Sequence, residues 1–102
     1  MLAEKLREHG VVGAGGAGFP TCVKAQAEAE IMIANGAECE PLIHKDVELM
    51  QAFPGEILSG LRLMAEAVKA RRMMFAIKSK NARALDAVRS RPEARDVELV
   101  LL

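Results

Sequence analysis

The sequence has no tryptophan and no tyrosine, and its aromatic rings are those of Phe19, Phe53 and Phe75. A flat ligand stacked on an aromatic side chain must therefore use one of these three. Cysteine is as scarce: Cys22 and Cys39 are the only two, and they form no CxxC pair. Two thiolates cannot supply the four that an iron–sulfur cluster takes, so such a cluster would have to be held by another segment or a partner. A disulfide between them is disfavoured in a reducing compartment. Charge of one sign is not in excess either, since 14 basic residues balance 14 acidic ones. Nothing global favours nucleic acid or an anionic membrane. No apolar run approaches the roughly 20 residues that cross a bilayer. The opening MLAEKLREHG is charged throughout and lacks the apolar core of a signal peptide. The expected location is the cytoplasm.

What is present suits one small α/β domain. The 102 residues are 51% hydrophobic and 27% charged, an ordinary globular balance at a length that supports one modest core. Residues 2–9 have helical composition with Leu2 and Leu6 four apart, and Gly10 is a natural stop. Four glycines follow between positions 13 and 18; then Pro20 suits the first turn of a helix over 21–29. Ile31 to Ala34 reads as a buried strand, bounded by Glu30 and by Asn35-Gly36. Residues 36–43 form a loop, and His44 to Phe53 a helix interrupted at Pro54. Over 55–71, Ile57, Leu58, Leu61, Met64, Ala65 and Val68 repeat at helical spacing. Met73 to Ile77 is a second buried strand. Residues 81–90 form a helix capped by Asn81, with Ala84, Leu85 and Val88 facing inward. Val97 to Leu102 is a third strand. Strand, helix, strand, helix, strand makes two crossover units, hence a parallel sheet with helices on its faces. The expected class is α/β, a Rossmann-like three-layer arrangement with about three parallel strands. A hydrophobic strand at the end of the sequence suggests an incomplete domain or one part of an assembly, and its edge could pair with a second copy.

The glycine segment carries the chemistry. Gly13-x-Gly15-x-x-Gly18 fits the dinucleotide pattern GxGxxG, and Glu38 lies 20 residues after the last glycine. That fingerprint should follow a strand, whereas here a charged helix and Val11-Val12 precede it. The physics of the segment still favours an anion or nucleotide. Glycines admit φ > 0 and let a ligand approach without a Cβ in the way. The helix beginning near Pro20 would present free N–H groups to a phosphate, and Lys24 would add a cation. The plainer alternatives are a turn between two helices, a surface role for Lys24, a core role for Phe19, and solvated loop acids at Glu38 and Glu40. Cys39 and His44 have no recognisable ligand spacing, so no metal site is expected.

Two segments taken together carry a family resemblance. GVVGAGGAGFPTCVK (10–24) followed by NGAECEPLIHKD (35–46) resembles the RnfC-type and PduS-type electron-transfer proteins. More distantly it resembles the flavin subunit of respiratory complex I, whose second segment reads N-A-D-E-x-E-P. The resemblance implies that the glycine bend holds FMN and NADH together. Gly13 and Gly15 would then contact FMN, Gly16 and Phe19 would contact NADH, and Gly18 belongs to the same bend. Lys24 matches a lysine near the flavin, Asn35 and Glu38 match flavin-contacting positions, and Glu40 matches a nicotinamide-side acid. FMN would take hydride from NAD(H) and pass electrons to iron–sulfur, ferredoxin or corrinoid acceptors in company with other subunits. A peripheral place on a membrane complex or in a bacterial microcompartment follows from the same resemblance. A non-catalytic assembly module and a plain NAD- or mononucleotide-binding domain are the alternatives.

Overall fold

The computed structural model describes residues 2–13, 20–37 and 45–102. The elements run α1 (Leu2–Glu8), α2 (Thr21–Ala25), β1 (Ile31–Asn35), α3 (Lys45–Ala52), α4 (Pro54–Ala67), β2 (Arg72–Ile77), α5 (Ala82–Arg89) and β3 (Val97–Leu101). A 3-10 turn at Pro92–Ala94 links α5 to β3. The strands described form one parallel sheet in the order β1-β2-β3. This is the α/β architecture the sequence predicts, with an open parallel sheet flanked by helices.

The register divides each strand into two faces. Met32 lies beside Met73 and Ala34 beside Phe75, while Phe75 lies beside Leu99. These residues face one core with Met50 of α3, Leu58 and Leu61 of α4, and Ala84, Leu85 and Val88 of α5. The crossover helices thus share one side of the sheet, with Phe75 and Ile77 sealed beneath them. The alternate set, which includes Ile33, Met74 and Val100, belongs to the other face, where Ile33 is 55% exposed.

Helix ends are set by backbone bonds. Gly10, at φ 65°, closes α1: its N–H bonds Arg7 O and the Val11 N–H bonds Leu6 O, each at 3.1 Å. That pair of bonds satisfies carbonyls the helix would otherwise leave orphaned. The same device ends α4 at Lys69, φ 58°, through Lys69 N–H to Glu66 O at 3.2 Å and Ala70 N–H to Ala65 O at 2.9 Å. The helix predicted to reach residue 71 therefore stops at Ala67.

Two other expectations need correcting. The helix predicted over 21–29 ends at Ala25. Ala29 N–H instead bonds Val68 O at 3.1 Å, drawing this stretch out towards the end of α4 ahead of β1. Asn81 stands at the N-cap of α5 but its side chain makes no capping bond there; its own N–H goes to Lys78 O at 3.0 Å.

Candidate functional site

Ligands of open parallel sheets bind beyond the carboxyl ends of the strands. At that edge β1 ends at Asn35, and the Gly36 N–H extends the ladder by bonding Ala76 O at 2.8 Å. Gly36 is buried against the core. A Cβ on it would lie 2.9 Å from Met50 Sδ, 2.9 Å from Phe75 Cε1 and 3.0 Å from Ala76 O. Asn35 turns its side chain back on the following backbone, its Oδ1 accepting the Ala37 N–H at 3.0 Å. Beside this stem opens a cleft of about 230 Å³, lined by Ala34, Asn35, Gly36, Asp46, Leu49, Met50, Ile57 and Phe75. Its lining is almost wholly apolar, and the Asp46 carboxylate beside it pairs with Lys45 Nζ at 3.3 Å.

Larger hollows lie elsewhere. One of about 480 Å³ sits between α1, the 25–28 stretch and the last turns of α4. Another, of about 280 Å³, is bounded by residues 28–30 and by Val68, Lys69 and Arg71. Residues 28–30 and 68–71 lead into the amino ends of β1 and β2, away from the edge where ligands of this fold collect.

The glycine segment is anchored at both stems. Val12 and Pro20 form an antiparallel bridge, and the Thr21 N–H bonds Val11 O at 3.1 Å. Gly13, half-buried, leaves directly from this bridge. Lys24 is exposed on α2, whose Cys22 and Ala25 are buried. The expectation of several free N–H groups at this helix start is corrected in part. The Thr21 N–H is taken by Val11 O and the Val23 N–H by Pro20 O, and the helix is five residues long.

Among the predicted site residues, Asn35 lines the cleft, whereas Gly13 and Lys24 are not among its lining residues. Gly15, Gly16, Gly18, Phe19, Glu38 and Glu40 lie outside the described residues, as do Cys39 and His44. Sequence reasoning missed Asp46, Leu49, Met50, Ile57 and Phe75 as cleft residues. Asp46 was within sight, as the last residue of the NGAECEPLIHKD segment. Among the described residues no group of three or more His, Cys, Asp or Glu could hold a metal ion. None of their helices is long and apolar enough to cross a membrane.

The family described as the Nuo51 FMN-binding domain matches residues 6–101. The chain belongs to this family. Cobalamin reductase PduS of Salmonella typhimurium is 45% identical over 87 residues, spanning 85% of this chain and 19% of that protein. The C subunit of the ion-translocating oxidoreductase complex of Salmonella gallinarum is 37% identical over 102 residues, spanning 96% of this chain and 15% of that protein. Among solved structures, the NAD+-reducing [NiFe]-hydrogenase in its air-oxidised state superposes with a TM-score of 0.77 and 26% identity over 99% of this chain. Its H2-reduced state gives a TM-score of 0.70 over 98%. The chain spans about one fifth or less of the length of each of these proteins.

A Nuo51 FMN-binding domain should offer a flavin an apolar floor and polar groups for the ring edge. The cleft beside Asn35 meets the apolar part of that demand. Leu49, Met50, Ile57 and Phe75 give the floor, and Asn35 and Asp46 stand among its lining residues. Its 230 Å³ is smaller than the roughly 300–1,000 Å³ of complete ligand pockets.

Proposed function

We propose that this domain seats FMN at the carboxyl edge of its sheet as the flavin module of an NAD(H)-linked electron-transfer oxidoreductase. The observation that carries the reading is the apolar cleft at the end of β1, placed where the NGAECEP segment begins. FMN supplies the chemistry when bound, accepting hydride equivalents and releasing electrons singly. The protein's part is to hold and orient. Asn35 and Glu38 would contact the flavin, with Gly13, Gly15 and Gly18 giving the backbone a side-chain-free approach and Lys24 lending positive charge. Gly16, Phe19 and Glu40 would serve the nicotinamide side. The similarity to a cobalamin reductase and to part of an ion-translocating oxidoreductase complex supports corrinoid, ferredoxin or iron–sulfur acceptors, with clusters on other segments or subunits. Titrating the chain into FMN and following flavin fluorescence tests the first step. Saturable quenching at micromolar protein is expected, and its absence in both this chain and a longer one sinks the reading.

A docking role is favoured by a different observation, the sheet face on which Ile33 is 55% exposed beside Met74 and Val100. Light scattering after size exclusion separates the two readings. A monomer that binds FMN supports the flavin module alone.

A further inference from the structure

We infer that Gly36 is a positioning residue for the flavin edge of this domain, acting through Asn35; the inference rests on the flavin reading above. Glycine is not there for its torsional freedom, because Gly10 is the only described glycine with positive φ. It is there because the backbone is pressed onto the core. A methyl at this position meets Met50 Sδ and Phe75 Cε1 at 2.9 Å and Ala76 O at 3.0 Å, all nearer than ordinary van der Waals contact. Met50 Sδ sits on a flexible side chain, but the Phe75 ring and the Ala76 backbone cannot yield easily. Met50 and Phe75 are each 2% exposed, and close-packed cores resist added volume. Ala76 O is the acceptor of the Gly36 N–H itself, at 2.8 Å.

Relief must come from the backbone of residues 35–37 lifting off the sheet. That motion stretches the Gly36–Ala76 bond and carries Asn35 with it. The Asn35 side chain cannot compensate independently, because its Oδ1 is held by the Ala37 N–H. A bare α-carbon at 36 therefore sets the height of Asn35 above the cleft it lines.

The test compares the wild-type chain with Gly36→Ala and with Gly60→Ala, a glycine whose added methyl meets nothing, reading FMN affinity by fluorescence and amide exchange at residue 36. Gly36→Ala should weaken FMN about tenfold or more, equivalent to about 1.4 kcal/mol, and should speed exchange of the residue 36 amide more than that of other sheet amides. Gly60→Ala should bind FMN within about twofold of wild type, since it disturbs no contact. A merely structural role at residue 36 instead speeds exchange throughout the sheet and leaves the FMN affinity of the folded chain unchanged. Unchanged affinity in Gly36→Ala overturns the inference. If the wild type itself binds no FMN, the flavin reading fails, while the exchange data still decide whether residue 36 is pressed onto the core. If Gly36→Ala does not fold, the wild type supplies the second reading: FMN should slow exchange of the residue 36 amide, and bound FMN with no added protection there overturns the inference.

Discussion

The Glu93 carboxylate occupies the space a side chain at Gly55 would need, its Oε2 lying 2.7 Å from where that Cβ would stand. Arg91 Nη2 donates to the same oxygen at 2.9 Å, so an ion pair from the turn before β3 is folded over the first turn of α4. A carboxylate at a helix start also meets the positive end of the dipole. Gly60, five residues on in the same helix, has nothing within 4 Å of its virtual Cβ. Alanine at 60 should therefore stabilise the chain by about 0.5–1 kcal/mol through backbone entropy and helix propensity. Alanine at 55 should gain less, because it pushes Glu93 and Arg91 aside. Denaturant unfolding of the two variants decides it, and an equal or larger gain at 55 would show the ion pair moves away at no cost.

Arg72 of β2 and Glu98 of β3 make a forked pair, with Nη2 to Oε2 at 2.8 Å and Nε to Oε1 at 3.1 Å. The hydrogen bond from Arg72 holds the Glu98 carboxyl below its ordinary value of 4.5. Arg91 does the same for Glu93, again chiefly by a hydrogen bond. A carboxyl depressed on folding stabilises the folded state above its unfolded value and loses that contribution as pH falls through the folded one. Both pairs are substantially exposed, so the effect on stability is small. The sharper measurement is by NMR. Glu98 should titrate below 4.5, and Arg72→Met should bring it back up. A Glu98 titration indifferent to Arg72→Met would mean the fork is not populated in solution.

Lys69 ends α4 in a conformation that suits glycine, at φ 58°, whereas α1 ends in the same way with Gly10 at φ 65°. Left-handed backbone costs a residue with a Cβ about 1 kcal/mol, while glycine adopts it freely. Lys69 recovers little through Glu28, since the pair is 3.6 Å apart and both side chains are 78% exposed. Lys69→Gly should therefore leave stability unchanged or raise it by up to about 1 kcal/mol, the released strain being offset by a more flexible unfolded chain. Gly10→Ala should lower it by about 1 kcal/mol. Thermal unfolding of both variants checks the pair, and a loss at residue 69 as large as that at residue 10 would contradict the shared geometry.

The strands were legible because each is a short apolar run between polar or turn residues. Ile31, Met73 and Val97 fall in such runs and are strand residues in the structure. The inward faces of α4 and α5 followed from periodicity, and Leu58, Leu61, Ala84 and Val88 are buried as that spacing requires. The end of α2 was not legible, since Gln26-Ala27-Glu28 are good helix formers and only the tertiary bond from Ala29 to Val68 outweighs them. The Val12–Pro20 bridge leaves no periodic trace because it is a single pair. At the candidate cleft, Asn35 was within reach of the sequence as part of the NGAECEP segment. The interlock of Gly36 with Met50 and Phe75 could not, because it joins positions 14 and 39 apart and no local pattern records a contact made by folding.

Asn35 offers a way to separate holding the stem from holding the ligand. Its Oδ1 accepts the Ala37 N–H, which leaves the amide NH2 as the part that could donate to a flavin. Asn35→Asp keeps the acceptor and removes the donors; Asn35→Ala removes both. If Asn35 serves only the turn, the aspartate variant should behave as wild type in stability and in FMN binding. If it also donates to the flavin, that variant should keep the thermal midpoint but weaken FMN by roughly five- to tenfold, the value of one hydrogen bond. The alanine variant should then lose the same binding and about 0.5–1 kcal/mol of stability besides. We expect the second pattern. Wild-type FMN affinity in Asn35→Asp would remove Asn35 from the flavin contacts and leave it a purely local brace beside Gly36.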